Sequence, residues 1–343
     1  LLPGFVNGLK NFLTRERKMD ISYQEAISVY ESFPPCLRAP ALHPYYVSSD
    51  ALRSRDPITP TFFFYKDAGE VFYYPFHLYI VLGTEHYEIQ SAYGYGGPIS
   101  TTENEDFIHK AWDSHIKWCK KNRVIAESVR FHPLLENWKF YKGQIMDNRS
   151  TVWVDITHED LMASYSGRAR TAVRKAQKNG FSVQWVGPEK FLDVFPPLYN
   201  KTMERIEAGA SYFFSSEYHA SLAKWEQVLL GICSSERELG ASAIFLLDGE
   251  TMEYHLSASS SYGRKMNATN LLLHEAFLHA KKMGIQRVHL GGGKSAEPND
   301  PLFFFKASFS DRRGAFKIGQ HIHNKDAYDA LTLECEMKSG MAK

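Results

Sequence analysis

A single cation, Lys306, stands among four phenylalanines in the stretch Pro301–Phe309 (PLFFFKASF). An ammonium surrounded by aromatic carbon works at low local dielectric, where it stabilises a developing oxyanion by about 2–4 kcal/mol. The same pattern also fits a lysine whose stem covers aromatic surface while its head reaches water. Shortly upstream, Gly291-Gly292-Gly293 supplies three residues without Cβ, which let the backbone approach a ligand or bend sharply. Tyr254 and His255 lie in a run of alternating polarity and are candidates to relay a proton; which of them faces a cleft depends on strand register. These types together suit acyl transfer to an amine. An activated ester or thioester needs little covalent help, only proximity, a path for the amine proton and positive charge near the oxyanion.

A second group of side chains suits phosphate. Between Arg168 and Lys178 five cations occur without an intervening carboxylate. On a helix, steps of about 100° put Arg168, Arg170, Arg174, Lys175 and Lys178 on one half of the circumference and Ala169, Ala172, Val173 and Ala176 on the other. The basic half reads either as a solvated face or as a phosphate-contact surface, to which Arg264-Lys265 could contribute. Arg205, near the aromatic patch that contains Tyr212, could clamp a phosphate bidentately or pair with a carboxylate. In the first half, Tyr93-Gly94-Tyr95-Gly96-Gly97-Pro98 combines flexible backbone with two phenols, as a ligand wall or an anchored loop does. Arg130 and His132 flank the end of a strand, where His132 reads as a turn histidine or a proton carrier.

The elements that must position these residues are clearest between Ala241 and Phe309. Ala243–Leu247, the turn pair Asp248-Gly249 and Met252–Ser257 read as a β-hairpin. Ala268–Met283 has helical spacing and stops at Gly284, and Gln286–Leu290 reads as the next strand. Upstream, helices are expected over Met19–Phe33, Phe107–Asn122, Leu161–Gly180, from Phe195 past Pro196-Pro197 to Arg205, and Ser216–Val228, with prolines repeatedly breaking Ala39–Pro60. Strands are expected at Thr61–Tyr65, Val71–Tyr74, Ile125–Phe131 and Thr151–Ile156, with His77–Leu82 extending the sheet. A boundary near residue 155 divides the chain into residues 1–155 and 156–343.

The order of hairpin, helix, strand, glycine turn and aromatic helix resembles the acyl-CoA-binding half of the GNAT acyltransferases. With Arg170–Gly180, Tyr199–Phe214 including Thr202 and Arg205, the Gly291–Gly293 run, and Phe305-Lys306 with Phe309, the chain resembles the Fem aminoacyl transferases. Tyr93–Pro98 and Arg130–Asn137 extend that likeness to the first half, so that it covers nearly everything beyond about Tyr45. The resemblance implies an α/β fold of two tandem GNAT-like domains, each a mixed sheet flanked by helices. The first would serve the acceptor and the second the donor. It implies that Lys306 is the catalytic cation and that Tyr93, Tyr95, Gly96, Arg130, His132, Arg205, Tyr212, Gly292 and Phe305 contact substrate. The donor would be aminoacyl-tRNA and the acceptor an amine of a cell-envelope precursor, a peptide or another small amine; the alternative within enzymes is an acyl-CoA-dependent N-acyltransferase acting on an amino-sugar or lipid-linked glycan. Ser259–Asn270 (SSSYGRKMNATN) lacks the glycine spacing of a CoA pyrophosphate loop, which favours tRNA as donor. A catalytically silent GNAT fold that binds a carrier or partner is the alternative of another class.

Composition narrows the field further. The 343 residues suffice for two cores, and 40 basic against 39 acidic side chains leave a net charge of +1, so any polyanion site must be a local patch. Cys36, Cys119, Cys233 and Cys335 form no CxxC pair, and no carboxylate lies at ligand spacing from His321 and His323; neither a metal nor a tightly bound cofactor is expected. GxxxxGK[ST] and GxSxG are both missing, which counts against a P-loop hydrolase and a common serine hydrolase. No apolar run is long enough to span a membrane, and Leu1–Lys18 lacks the core of a signal peptide, so a cytoplasmic protein is expected. The leading Leu1 leaves the native start open to lie upstream, and oligomeric state is not legible.

Overall fold

The computed structural model describes residues 20–53, 57–236, 238–295, 297 and 299–339; the expectations placed on Leu1–Lys18 and Met19 lie outside them. Among the described residues, twelve strands form one sheet. The first half of the chain contributes β1 (Ile58–Asp67), β2 (Glu70–Ile80), β3 (Tyr87–Gln90), β4 (Ile99–Ser100), β5 (Val124–Arg130) and β6 (Gln144–Asp155). The second contributes β7 (Ser182–Trp185), β8 (Val228–Ser234), β9 (Leu239–Asp248), β10 (Thr251–Ser259), β11 (Arg287–Gly291) and β12 (Arg313–Ile322). Across the sheet the order is β1-β2-β3-β5-β12-β6-β11-β10-β9-β8-β7, with β4 on β2. Most pairs are antiparallel, while β3–β5 and β10–β11 are parallel, and helices cover the sheet. This is the mixed α/β class expected from the sequence.

The boundary expected at residue 155 coincides with the end of β6, but the sheet does not stop there. β6 pairs with β11 of the second half, and β12, from the end of the chain, is inserted between β5 and β6. A core cluster on one face likewise mixes Tyr30, Tyr46 and Tyr73 with Phe195, Tyr218 and Leu256. The two halves are therefore bound by backbone pairing and by a shared apolar layer.

Local sequence explains most elements. The hairpin forms as read, with Asp248 opposite Thr251 and Gly249 at φ +54°. Pro60 is tolerated in β1 because that strand is the edge of the sheet. Three segments differ from expectation. Leu161–Gly180 is broken into a 3-10 turn, Leu161–Ser164, and a helix, Gly167–Lys178, because Ser166 caps the second piece by accepting from the Ala169 amide. Pro196 and Pro197 fall inside one helix, Pro188–Arg205, instead of preceding it. Phe191 stacks on Phe195, which meets Tyr199 at a tilt one turn later, and the burial of these rings outweighs the lost backbone donors. The last helix of the Ser216 region ends at Ala223, which frees Val228 to open β8.

Gly263 shows how tightly the short helix Ser261–Lys265 sits on β9. A Cβ there would come within 2.0 Å of the Gly240 carbonyl oxygen, a backbone atom with no room to move aside. Gly263→Ala is expected to destabilise the fold by about 1–3 kcal/mol, the usual cost of overpacking. Gly209→Ala, where nothing lies within 4 Å, serves as the control. Equal urea midpoints for the two variants would refute this packing.

Candidate active site

Lys306 is placed by the segment before it. Asp300 caps the helix Pro301–Ala307 by accepting from the Phe303 amide at 2.8 Å, and its other carboxylate oxygen accepts from the Ser295 amide at 2.9 Å. Gly293 must lack a side chain because a Cβ would lie 2.5 Å from Asp300 Oδ1. One turn later, Lys306 Nζ donates to the Gly292 carbonyl at 2.7 Å. Gly291 has φ +77°, and a Cβ on it would lie 3.3 Å from Lys306 Nζ and 3.4 Å from the Tyr95 hydroxyl oxygen. The two polar tips thus converge over a residue that has no side chain. Lys306 is buried, and desolvation lowers its pKa to about 8, with Asp300 acting in the opposite direction.

Around this point lies a cavity of about 220 Å³, lined by Tyr93, Gly94, Tyr95, Arg130, Glu253, Tyr254, His255, His289, Leu290, Gly291, Gly292 and Lys306. It is built from both halves of the chain. Arg130 is fixed in its wall by donating to the Ser91 and Ala92 carbonyls at 3.1 and 3.0 Å. The register of β10 shifts between Tyr254 and Leu256, a bulge that lets consecutive residues reach the cavity. His255 Nε2 shares a 2.7 Å hydrogen bond with the Tyr218 hydroxyl, and burial lowers its pKa to about 3, so at neutral pH the ring is uncharged. Tyr254, raised to about 12 by burial, donates to Ser257 Oγ at 2.5 Å. Burial, followed by His132 and Lys306, holds His289 well below its ordinary value.

Glu253 is the group that the sequence reading missed. It is buried, lines the cavity, and lies 3.2 Å from His132 Nε2. The Leu134 amide donates to His132 Nδ1 at 3.3 Å, so the neutral ring carries its proton on Nε2 and donates it to Glu253 Oε1. His132 and Gly96 therefore stand behind the wall. The Asn137 side chain joins them, accepting from the His132 amide and donating to the Gly96 carbonyl. In the sequence Glu253 is one polar residue of an alternating strand, and its partner is 121 positions away.

A larger cleft of about 910 Å³ adjoins the first, and Tyr254 lines both. Phe305 and Phe304 form part of its floor, the start of the helix Ala268–Lys282 one end, and Arg168, Lys175 and Arg264 its cationic rim. Arg168 and Lys175 are two turns apart and share a direction. Lys175 also donates to the Lys265 carbonyl at 2.9 Å, tying the basic helix to the segment before Ala268. The remaining expected phosphate contacts do not line this cleft. Arg170 donates to the Tyr165 carbonyl, Arg174 is exposed outside it, and Lys265 contributes its carbonyl. Arg205 sits beside the cleft, its guanidinium donating to the Ser259 carbonyl at 2.9 Å, with burial and the nearby Arg264 lowering its pKa. Tyr212 is 45% exposed and meets the cavity only through an edge contact with Tyr93.

Burial of Lys306 has a measurable cost. With a folded pKa near 8 against an ordinary 10.5, the unfolded chain binds more protons between those values, so stability rises with pH across that window. Below pH 8 the full penalty of burying the ammonium is present. Lys306→Met is therefore expected to be most favourable relative to wild type at pH 7 and to lose roughly 2–3 kcal/mol of that relative stability by pH 10. Denaturant midpoints of both proteins across this range measure the difference; a pH-independent difference would contradict it.

A family model described as FemAB family matches residues 141–215. No curated protein sequence matches the chain. Among solved structures, one described as FemX superposes with a TM-score of 0.69 at 16% identity, covering 91% of this chain and 98% of that one. The C-terminal domain of a putative lysylphosphatidylglycerol synthetase from Agrobacterium fabrum gives 0.58 at 12% identity, covering 92% and 98%. L-PGS from Bacillus licheniformis gives 0.58 at 13%, covering 89% and 94%.

Proposed function

We propose that the chain is a Fem-type acyltransferase that moves an aminoacyl group from aminoacyl-tRNA to an amine of a cell-envelope precursor or peptide, a reading supported by the FemAB-family match over residues 141–215 and by a fold similar to that of FemX across both halves. The observation that carries this reading is Tyr254, the shared wall of a cationic cleft and of the cavity that holds Lys306. An acyl ester whose phosphates lie along Arg168, Lys175 and Arg264 would present its carbonyl at the Lys306 end.

In this reading the acceptor amine attacks the ester carbonyl, forming the C–N bond, and the carbonyl oxygen becomes an oxyanion beside the Lys306 ammonium. The Gly292 carbonyl holds that ammonium in place, leaving its other two donors for the substrate. Collapse breaks the ester C–O bond. The amine proton passes to Glu253, oriented by His132, and on to the departing ribose oxygen. Glu253 suits this role better than the two groups marked by sequence: His255, with its pKa near 3, is a weak base at pH 7, and Tyr254 is a protonated phenol. The start of the Ala268 helix supports tRNA over acyl-CoA. Asn267, in left-handed conformation at φ +62°, lines the cleft immediately before those amides, where a side chain hinders close approach of a pyrophosphate, while Gly263 is glycine because it packs on Gly240.

The test pairs binding with turnover. Filter binding of charged tRNA should weaken steeply with salt, and Arg168→Glu with Arg264→Glu should flatten the log–log slope by about one to two units, whereas Arg174→Glu should change it little. In single-turnover transfer, Lys306→Met should bind the donor normally and lose about 10²–10³-fold in rate. Micromolar acetyl-CoA binding by calorimetry with no tRNA retention would overturn the donor assignment.

A further inference from the structure

Away from the cavity, four side chains of metal-ligand type meet in the core of the first half. His115 and Cys119 are one helical turn apart on the helix Glu105–Lys121, Glu127 projects from β5, and His323 follows the end of β12. One ligand atom from each lies within 4.8 Å of every other. His115 Nε2 and His323 Nε2 are 2.9 and 3.2 Å from the same carboxylate oxygen, Glu127 Oε2, and Cys119 Sγ is 3.5 Å from His115 Nε2. We propose that His115, Cys119, Glu127 and His323 form a structural zinc site that clips the last strand of the chain to the first half of the sheet.

Three observations favour an ion over a hydrogen-bonded cluster. The first is spacing. Around zinc, with bonds of about 2.0–2.1 Å to nitrogen and oxygen and about 2.3 Å to sulfur, tetrahedral geometry sets N···O near 3.3 Å and N···S near 3.5 Å, close to what these atoms already show. The second is charge. Two neutral imidazoles, one carboxylate and one thiolate balance a divalent ion, so the site is neutral as a whole, which a fully enclosed position requires. The third is convergence. His115 Nε2 and His323 Nε2, from a helix and from the end of β12, both lie within hydrogen-bond distance of one oxygen, Glu127 Oε2, as ligands of a common centre do. The mixed nitrogen, sulfur and oxygen set selects zinc over calcium or magnesium.

The surroundings suit a closed structural centre. Trp112, Trp118, Phe63 and Tyr74 pack their rings around His115, and the Tyr141 phenol lies against Glu127. With four protein ligands no position remains for substrate. β12 connects this centre to the active cavity, because Phe316 on the same strand packs on Tyr95 at 5.5 Å. Spacing along the chain could not reveal the set, since its carboxylate comes from a neighbouring strand 196 residues from His323.

The full chain, carrying Cys36→Ser and Cys335→Ser to remove the two exposed thiols, is stripped with chelator and titrated with Zn²⁺ against a chromophoric competitor, then with Co²⁺. One equivalent of tightly held zinc, a rise in melting temperature of about 5 °C, and a cobalt spectrum with intense tetrahedral bands and a thiolate charge-transfer band are expected. Cys119→Ser should remove the charge-transfer band, and His323→Gln, at the margin of the core, should lower zinc affinity at least tenfold if the serine variant does not fold. Zinc binding no tighter than in His323→Gln, or a cobalt spectrum without a thiolate band, would overturn the proposal. Neither readout depends on transfer activity.

Discussion

One buried ammonium sets the demands on the rest of the site. Taking Lys306 out of water costs free energy that only a well-placed partner and a rigid surround offset, and both are built from its own neighbourhood. Asp300 starts the helix that carries it, Gly293 makes space for Asp300, the Gly292 carbonyl receives the ammonium, and Gly291 clears the area above. The depressed pKa and the catalytic reading share a cause, because the low dielectric that penalises the charge at rest strengthens it against an oxyanion.

The sheet order makes that arrangement possible. β6 and β11 join the halves by backbone hydrogen bonds, and β12 returns from the far end of the chain to lie between β5 and β6. Residues of the first half, Tyr93, Tyr95 and Arg130, thereby face Glu253, His255 and Lys306 of the second across one cavity. A hinge between independent domains would leave these groups without fixed spacing, whereas proximity catalysis depends on spacing held to within about an ångström.

What the sequence disclosed follows from range. The hairpin at Gly249, the helix ending at Gly284 and the glycine run are written in adjacent residues, and they formed nearly where expected. The helical wheel separated the basic from the apolar half of Gly167–Lys178, and Ala169, Ala172, Val173 and Ala176 are indeed buried. It could not say which part of the basic half meets a cleft. That depends on β10 and the Ala268 helix packing beside Arg168 and Lys175, while Arg170 turns back to cap the preceding turn. Contacts across the sheet were out of reach: the insertion of β12, the pairing of Glu253 with His132, and the convergence of Cys119, Glu127 and His323 each join residues through tertiary structure alone. Pro196-Pro197 was read as a helix start because proline propensity is local, whereas the stacked rings that override it span two turns and a core.

The state of Lys306 is the point on which this mechanism turns, and it can be read directly. Reductive ¹³C-methylation of the lysines, followed by NMR titration of wild type and Lys306→Met, reports each ammonium separately. One resonance titrating near pH 8, and lost in the methionine variant, is the expected result. Titration of every lysine near the ordinary value of about 10.4 would contradict a buried ammonium at the centre of the site.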